Sequence, residues 1–251
     1  MITGMCAGTA ALAVANIGAA ALLRYESGKV KTAIQAALGL GFVGCAKMTE
    51  WCIMANRNFS YDGERKLSKV IVEGTAEYVT IPEGGVGLDV GCGSGALTIA
   101  CAKRNSQATM VGIDRWGAEY ASFSKILCER NAEAEGVSNV SFEKGDAVHL
   151  DFPDETFDAV TSNYVYHNIS GVDKQKLLRE TLRVLKKGGT FAIHDLMSKM
   201  RYGDMERFAQ ELRDEGYREV ELIHTDDGLF MSKLEATKMM LRGSTILRGV
   251  K

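Results

Sequence analysis

Leu88-Asp89-Val90-Gly91-Cys92-Gly93-Ser94-Gly95 joins an apolar run (Val86, Leu88, Val90) to a helical pattern that begins at Ala96. Glycines at alternate positions let the backbone turn sharply and let a ligand lie directly against it. The following helix offers unpaired N–H groups and the positive end of its dipole. A strand, a glycine turn and a helix in this order predict an α/β fold with a nucleotide-type ligand at the turn.

The pattern downstream supports that fold. Pro82-Glu83-Gly84-Gly85 punctuates the chain after a helical stretch over Glu64–Val79. Strands are predicted at Val86–Val90, Thr109–Ile113, Val140–Glu143, Phe157–Ser162 and Thr190–His194. Helices between them are predicted at Ala96–Arg104, Gly117–Glu135 and Asp173–Lys186. The tail adds a helix over Met205–Glu215, a strand over Glu219–His224, a capped helix from Ser232 to Leu241 and an edge strand over Ser244–Arg248. This alternation implies a Rossmann-like, mostly parallel, seven-stranded sheet with helices on both faces. With 251 residues, the chain has room for one such domain of roughly 150–200 residues and an extra segment.

That extra segment lies first in the chain. Residues 1–23 carry no charge and are rich in alanine, and a second uncharged run spans Thr32–Ala46. We assign 1–55 to a hydrophobic helical segment and 56–251 to the α/β domain. The first run is long enough to cross a hydrocarbon core of ~30 Å. Three readings stay open: a membrane anchor or hairpin, an alanine-rich appendage packed on the domain or on a second subunit, and a cleaved signal peptide. Lys47, Arg57, Arg65, Lys66 and Lys69 favour a cytoplasmic domain on the membrane's inner face, whereas Arg24, Lys29 and Lys31 oppose the two-span version.

Charge and cysteine pattern exclude other classes. A net charge of −2 gives no broad basic surface for nucleic acid. The six cysteines form no C-x-x-C pair and the four histidines are scattered, so no metal site is expected and the thiols fit a reduced compartment.

Asp89 narrows the ligand. Gly91-x-Gly93-x-x-Ala96 also fits a dinucleotide loop, but a carboxylate two residues before the first glycine would meet a pyrophosphate unfavourably. It suits a cation such as S-adenosyl-L-methionine, with its sulfonium and ammonium groups. The second motif, Met110-Val111-Gly112-Ile113-Asp114, ends a strand in a carboxylate suited to ribose hydroxyls, with Arg115 and Trp116 placed to flank an adenine. Lys144-Gly145-Asp146-Ala147 and Thr161-Ser162-Asn163-Tyr164-Val165-Tyr166-His167-Asn168 follow later strands.

Taken in order over about residues 60–200, these motifs resemble the class I S-adenosylmethionine-dependent methyltransferases, in their small-molecule branch. The resemblance implies that Asp89, Gly91, Cys92, Gly93, Gly95, Asp114, Arg115, Asp146, Ala147 and Asn163 bind the cofactor. It implies that Asp146 accepts from the adenine amino group, that Asn163 and Tyr164 lie beside the transferring methyl, and that Tyr61 folds over the methionine end. His167 is the general-base candidate because its ordinary pKa lies near working pH, or else it only shapes the pocket. His194-Asp195 at the fifth strand's end is either a pocket pair or a structural one. The expected activity is methyl transfer to a small-molecule or lipid-like acceptor. The alternatives are a nicotinamide-dependent oxidoreductase and a non-catalytic binding scaffold.

Overall fold

A computed structural model describes residues 10–19, 28–117 and 122–251. The chain forms two compact units, 1–68 and 69–251. In the first, a helix α1 over residues 10–19 is tied to α2 (Lys29–Phe59) by the Asn16 amide, which donates to the Leu38 carbonyl at 3.0 Å.

The expectation of a membrane hairpin is corrected here. Among the described residues no helix is long and apolar enough to cross a membrane. The uncharged stretch Thr32–Ala46 rises only about 22 Å as a helix. It continues on the same helix into Lys47, Glu50 and Arg57. Most of the first uncharged run lies outside the described residues.

The second unit begins in α3 (Leu67–Ala76) and contains one seven-stranded sheet. Its strands are β1 (Val86–Val90), β2 (Thr109–Asp114), β3 (Val140–Lys144), β4 (Phe157–Asn163), β5 (Leu185–Leu196), β6 (Arg218–His224) and β7 (Ser244–Val250). Their spatial order is β3-β2-β1-β4-β5-β7-β6. The first five run parallel, and β7 lies antiparallel between β5 and β6. The helices are α4 (Ala96–Arg104), α5 (Lys125–Ala134), α6 (Lys174–Arg183), the single turn α7 (Lys199–Tyr202), α8 (Met205–Asp214) and α9 (Lys233–Lys238).

Strand alternation explains how both faces of the sheet are covered. Leu88 and Val90 enter a core with Leu177, Leu178 and Leu182 of α6 and Phe208 and Leu212 of α8. Asp89, between them, points the other way and meets Thr98 of α4. Beyond it, Ile99, Cys128, Ala132 and Phe142 form a second cluster with α5. The strand order reverses between β1 and β4, which opens a crevice at their carboxyl ends.

Most predicted boundaries shift by a few residues, and two starts move further. The helix expected over Gly117–Glu135 is seen from Lys125, where the Ser124 hydroxyl caps it by accepting from the Leu127 amide at 3.2 Å; residues 118–121 of that expectation lie outside the described residues. The fifth strand starts at Leu185 rather than Thr190. Leu185 pairs with Phe157, the chain bulges through Gly188 at φ 80°, and pairing resumes at Thr190 opposite Ala159.

At the amino ends of the strands, Asp158 joins β1, β4 and β5. Its carboxylate accepts from the Val86 amide at 2.9 Å and pairs with Lys186 at 2.9 Å. Burial alone would raise its pKa, but Lys186 and the Val86 amide outweigh it and hold the group below the ordinary carboxylate value. A lowered folded pKa stabilises above the unfolded value of about 3.9, and that contribution fades as pH falls through the folded pKa. Asp158→Asn is therefore expected to melt at lower temperature than the parent at pH 7, with the gap closing towards pH 3. Thermal melts across pH check this.

Candidate functional site

The glycine loop is fixed from several sides. The Gly91 and Cys92 amides both donate to the Ile113 carbonyl, at 2.8 and 2.9 Å, and the Gly95 amide donates to Cys92 O at 2.8 Å. At Gly91, φ is +73° and an added Cβ would lie 2.5 Å from both Val165 methyls, so only glycine fits. Gly95, at φ +81°, caps α4 against Phe142 and is not among the residues lining the cavity described below.

Asp114 grips the loop from the end of β2. One carboxylate oxygen accepts from the Gly93 amide at 2.9 Å and the other from the Trp116 amide at 2.7 Å. The Gly93 carbonyl is held in turn by the Trp116 indole N–H at 3.0 Å and the Cys128 thiol at 3.2 Å. The Asn131 amide secures Ser94 O at 2.9 Å.

Asp89 is 1% exposed. Its two oxygens accept from the Thr98 hydroxyl at 2.7 Å and the Thr161 hydroxyl at 2.9 Å. Burial pushes its pKa up, the hydroxyls hold it down in part, and the charge of Asp114 adds to the rise. Its donors, the two hydroxyls and the Thr98 amide, are all neutral, so none of them balances the carboxylate's charge.

These groups face a cavity of about 650 Å³ at the crevice between β1 and β4. Of the residues predicted to form the site, Asp89, Gly91, Cys92, Gly93, Asp114, Arg115, Asp146, Ala147, Asn163 and Tyr164 line it. Asp146 sits on an exposed turn, where its carboxylate also accepts from the Val148 amide at 2.9 Å. Tyr61 belongs to the first unit, in the turn after α2.

The end of β4 departs from expectation in two ways. Tyr164 lines the cavity, but its hydroxyl is bonded to Ser244 Oγ at 2.7 Å, and burial pushes its pKa up. It holds φ +56°, a conformation that costs a side chain about 1–2 kcal/mol. His167 is not among the lining residues. Its Nδ1 lies 2.6 Å from Asp195, whose other oxygen accepts from the Tyr166 and His167 amides at 2.8 and 3.2 Å. Burial pushes Asp195 up, yet His167 and the Leu196 amide bring it below its ordinary value. The pair fixes a 3-10 turn (Tyr166–Asn168), and the chain beyond it brings Asn168, Ile169 and Ser170 to the cavity.

Asn168 closes the fourth motif, whereas Ile169, Ser170 and the apolar walls Val72, Leu97 and Phe123 lie outside the motifs read from sequence. Reading the fourth motif two residues further would have found Ile169 and Ser170. Phe123 was hidden inside a helix predicted too long.

Residues 82–239 match the family described as a methyltransferase domain. The chain is 36% identical over 108 residues to an uncharacterized methyltransferase of Bacillus subtilis, YcgJ, a match covering 43% of this chain and 39% of that protein. It is 35% identical over 117 residues to a demethylmenaquinone methyltransferase of Bacillus licheniformis, covering 46% of each. The chain thus spans less than half the length of these relatives. A solved SAM-dependent methyltransferase from Aquifex aeolicus shares the fold, with TM-score 0.51 and 19% identity over 78% of this chain and 97% of that one.

Two of the loop's glycines should respond differently to alanine. Gly91→Ala adds backbone strain and a clash with Val165, and is expected to cost about 2–4 kcal/mol in chemical denaturation. At Gly93 the nearest contact to an added Cβ is Phe123 at 3.8 Å, so Gly93→Ala is expected to cost only the strain, about 1–2 kcal/mol.

Proposed function

Because this chain belongs to the methyltransferase-domain family, we propose that it transfers a methyl group from S-adenosylmethionine to a small-molecule acceptor with an apolar body. The observation that carries the cofactor is Asp89, a carboxylate kept in a buried wall of the cavity at a cost in stability. A cation beside it removes that cost; a pyrophosphate would add to it. Asp114 offers its remaining lone pairs to ribose hydroxyls, and Asp146 accepts from the adenine amino group.

When bound, the cofactor supplies an electrophilic methyl on a sulfonium. The protein's part is to orient and to exclude water. Val72, Leu97, Phe123, Val165 and Ile169 give the cavity dry walls suited to an apolar acceptor. The named relative whose acceptor is a demethylmenaquinone supports the same class. Tyr164 shapes the wall with a hydroxyl already committed to Ser244. His167 and Asp195 position the turn that carries Asn168 and Ile169.

S-adenosylhomocysteine should bind saturably in calorimetry and NAD should not. Asp114→Ala is expected to weaken that binding by about 1–3 kcal/mol, since a charge-assisted contact is lost. Equal affinity for NAD would overturn the reading.

Asp89→Asn separates function from stability. A raised folded pKa favours folding below about 3.9 and disfavours it once pH rises through the folded value. At pH 7 the variant should therefore melt no lower than the parent, and the two should converge in acid. Its affinity for S-adenosylhomocysteine should fall about tenfold or more. In the parent, affinity should weaken as acid protonates Asp89; in the variant that dependence should be absent.

A further inference from the structure

One buried residue of β5 holds the end of β4. His194 is fully buried, with Nδ1 2.8 Å from Asn163 Oδ1 and Nε2 2.8 Å from Thr225 Oγ1. Its backbone carbonyl accepts the Tyr164 N–H at 2.8 Å. The Tyr164 ring centroid lies 4.6 Å away on one side, and Phe230 meets the imidazole edge-on at 5.6 Å. Phe230 occupies space left by Gly74 of α3, where an added Cβ would come within 2.4 Å of the ring. The imidazole is thus packed in place.

The hydrogen bonds fix its proton. Burial pushes the His194 pKa down to about 3, against the pull of the Asp195 charge, so at neutral pH the ring carries one proton. Asn163 Oδ1 can only accept, which places that proton on Nδ1. Nε2 is then a lone pair, and the Thr225 hydroxyl donates to it. The hydroxyl can turn away from the Ser244 carbonyl, 3.1 Å off, because that carbonyl already receives the Thr225 backbone amide at 2.9 Å. With its oxygen held by His194, Asn163 has its NH2 group left for the cavity it lines.

We infer that His194 is a positioning residue that fixes the Asn163 carboxamide with its N–H donors towards the cavity, and so selects oxygen acceptors over amine acceptors. This rests on the methyl-transfer reading. A hydroxyl oxygen has two lone pairs: one receives the Asn163 N–H and the other forms the bond to the methyl. As that bond forms, the carbon–sulfur bond breaks with its electron pair left on sulfur, and the methylated oxygen then gives up its proton to solvent at the cavity mouth as the product leaves. A neutral amine has one lone pair and needs acceptors for its own N–H groups, so facing donors leave it unpaired.

Long-range proton–nitrogen NMR on the full chain reads the tautomer directly; protonation at Nδ1 is expected, and at Nε2 would overturn the inference. Calorimetry on protein saturated with S-adenosylhomocysteine, using 2-naphthol and 2-naphthylamine as probes, reads the selectivity. The naphthol should bind about tenfold tighter. Asn163→Asp keeps an oxygen for His194 but removes the donor, and should reverse the preference. His194→Phe should bring the two affinities within about threefold while S-adenosylhomocysteine affinity moves less than about threefold.

Equal or tighter binding of the amine, no binding of the naphthol, or an unchanged ratio in either variant would overturn the inference. Should His194→Phe fail to fold, Asn163→Asp and the tautomer still decide it. Failure of S-adenosylhomocysteine to bind the parent would sink the methyl-transfer reading instead, leaving the tautomer standing.

Discussion

A carboxylate enclosed between β1, β4 and α4 sets the terms for the rest of the second unit. Asp89 has two threonine hydroxyls for company, and the Coulombic influence of Asp114 repels it. Removing an ionised carboxylate from water costs several kcal/mol, and neutral donors return only part of that. A leucine or valine at this position would serve the sheet better, as Leu88 and Val90 do on the other face. The charge makes physical sense as half of an ion pair whose other half arrives with a ligand.

Beside that charge, two residues with left-handed backbone stand at the carboxyl edge of the sheet. Trp116 and Tyr164, at φ 42° and 56°, follow the ends of β2 and β4 and flank the crevice. Each is held by a bond that relaxation would break: the Trp116 amide and indole to Asp114 and Gly93, the Tyr164 amide to His194. Strained residues persist where neighbours over-determine them, and such places tend to be sites. The opposite edge is built for cohesion, where Asp158 ties three strand starts together with Lys186 and the Val86 amide. Stability and chemistry are thus largely separated along the strand axis.

This division also explains what could be read from sequence. Strand and helix order was legible because apolar spacing and glycines act locally, and the glycine loop with Asp89 and Asp114 announced the crevice before any coordinates. The partners were not legible. Nothing local in Thr98 or Thr161 says that both hydroxyls turn to Asp89, since one lies on a helix and the other on a neighbouring strand. The start of α5 was misplaced because its apolar pattern extends upstream of the Ser124 cap. His167 looked like a base because its ordinary pKa is suggestive. Its pairing with Asp195, 28 residues away, depends on the adjacency of β4 and β5. The membrane expectation failed at Thr32–Ala46 because a count of uncharged residues ignored the glycines, threonine and glutamine within the run and the charges that follow it on one helix.

The polar groups at the end of β4 point to how such a site would work. Tyr164 has its hydroxyl engaged by Ser244, and burial raises its pKa, so it is poorly placed to take a proton. His167 has Nδ1 committed to Asp195 and lies outside the cavity lining. His194 stays neutral, packed between Tyr164 and Phe230. Tyr164 and His194 are thus poor bases, and most of the burden falls on geometry. In the proposed reading a carboxylate would fix one end of the ligand, a clamped glycine loop its middle, and a carboxamide locked by a buried imidazole would present the acceptor. An in-line displacement asks mainly for alignment and dryness, and a rigid, largely apolar crevice with a few pinned polar groups supplies both.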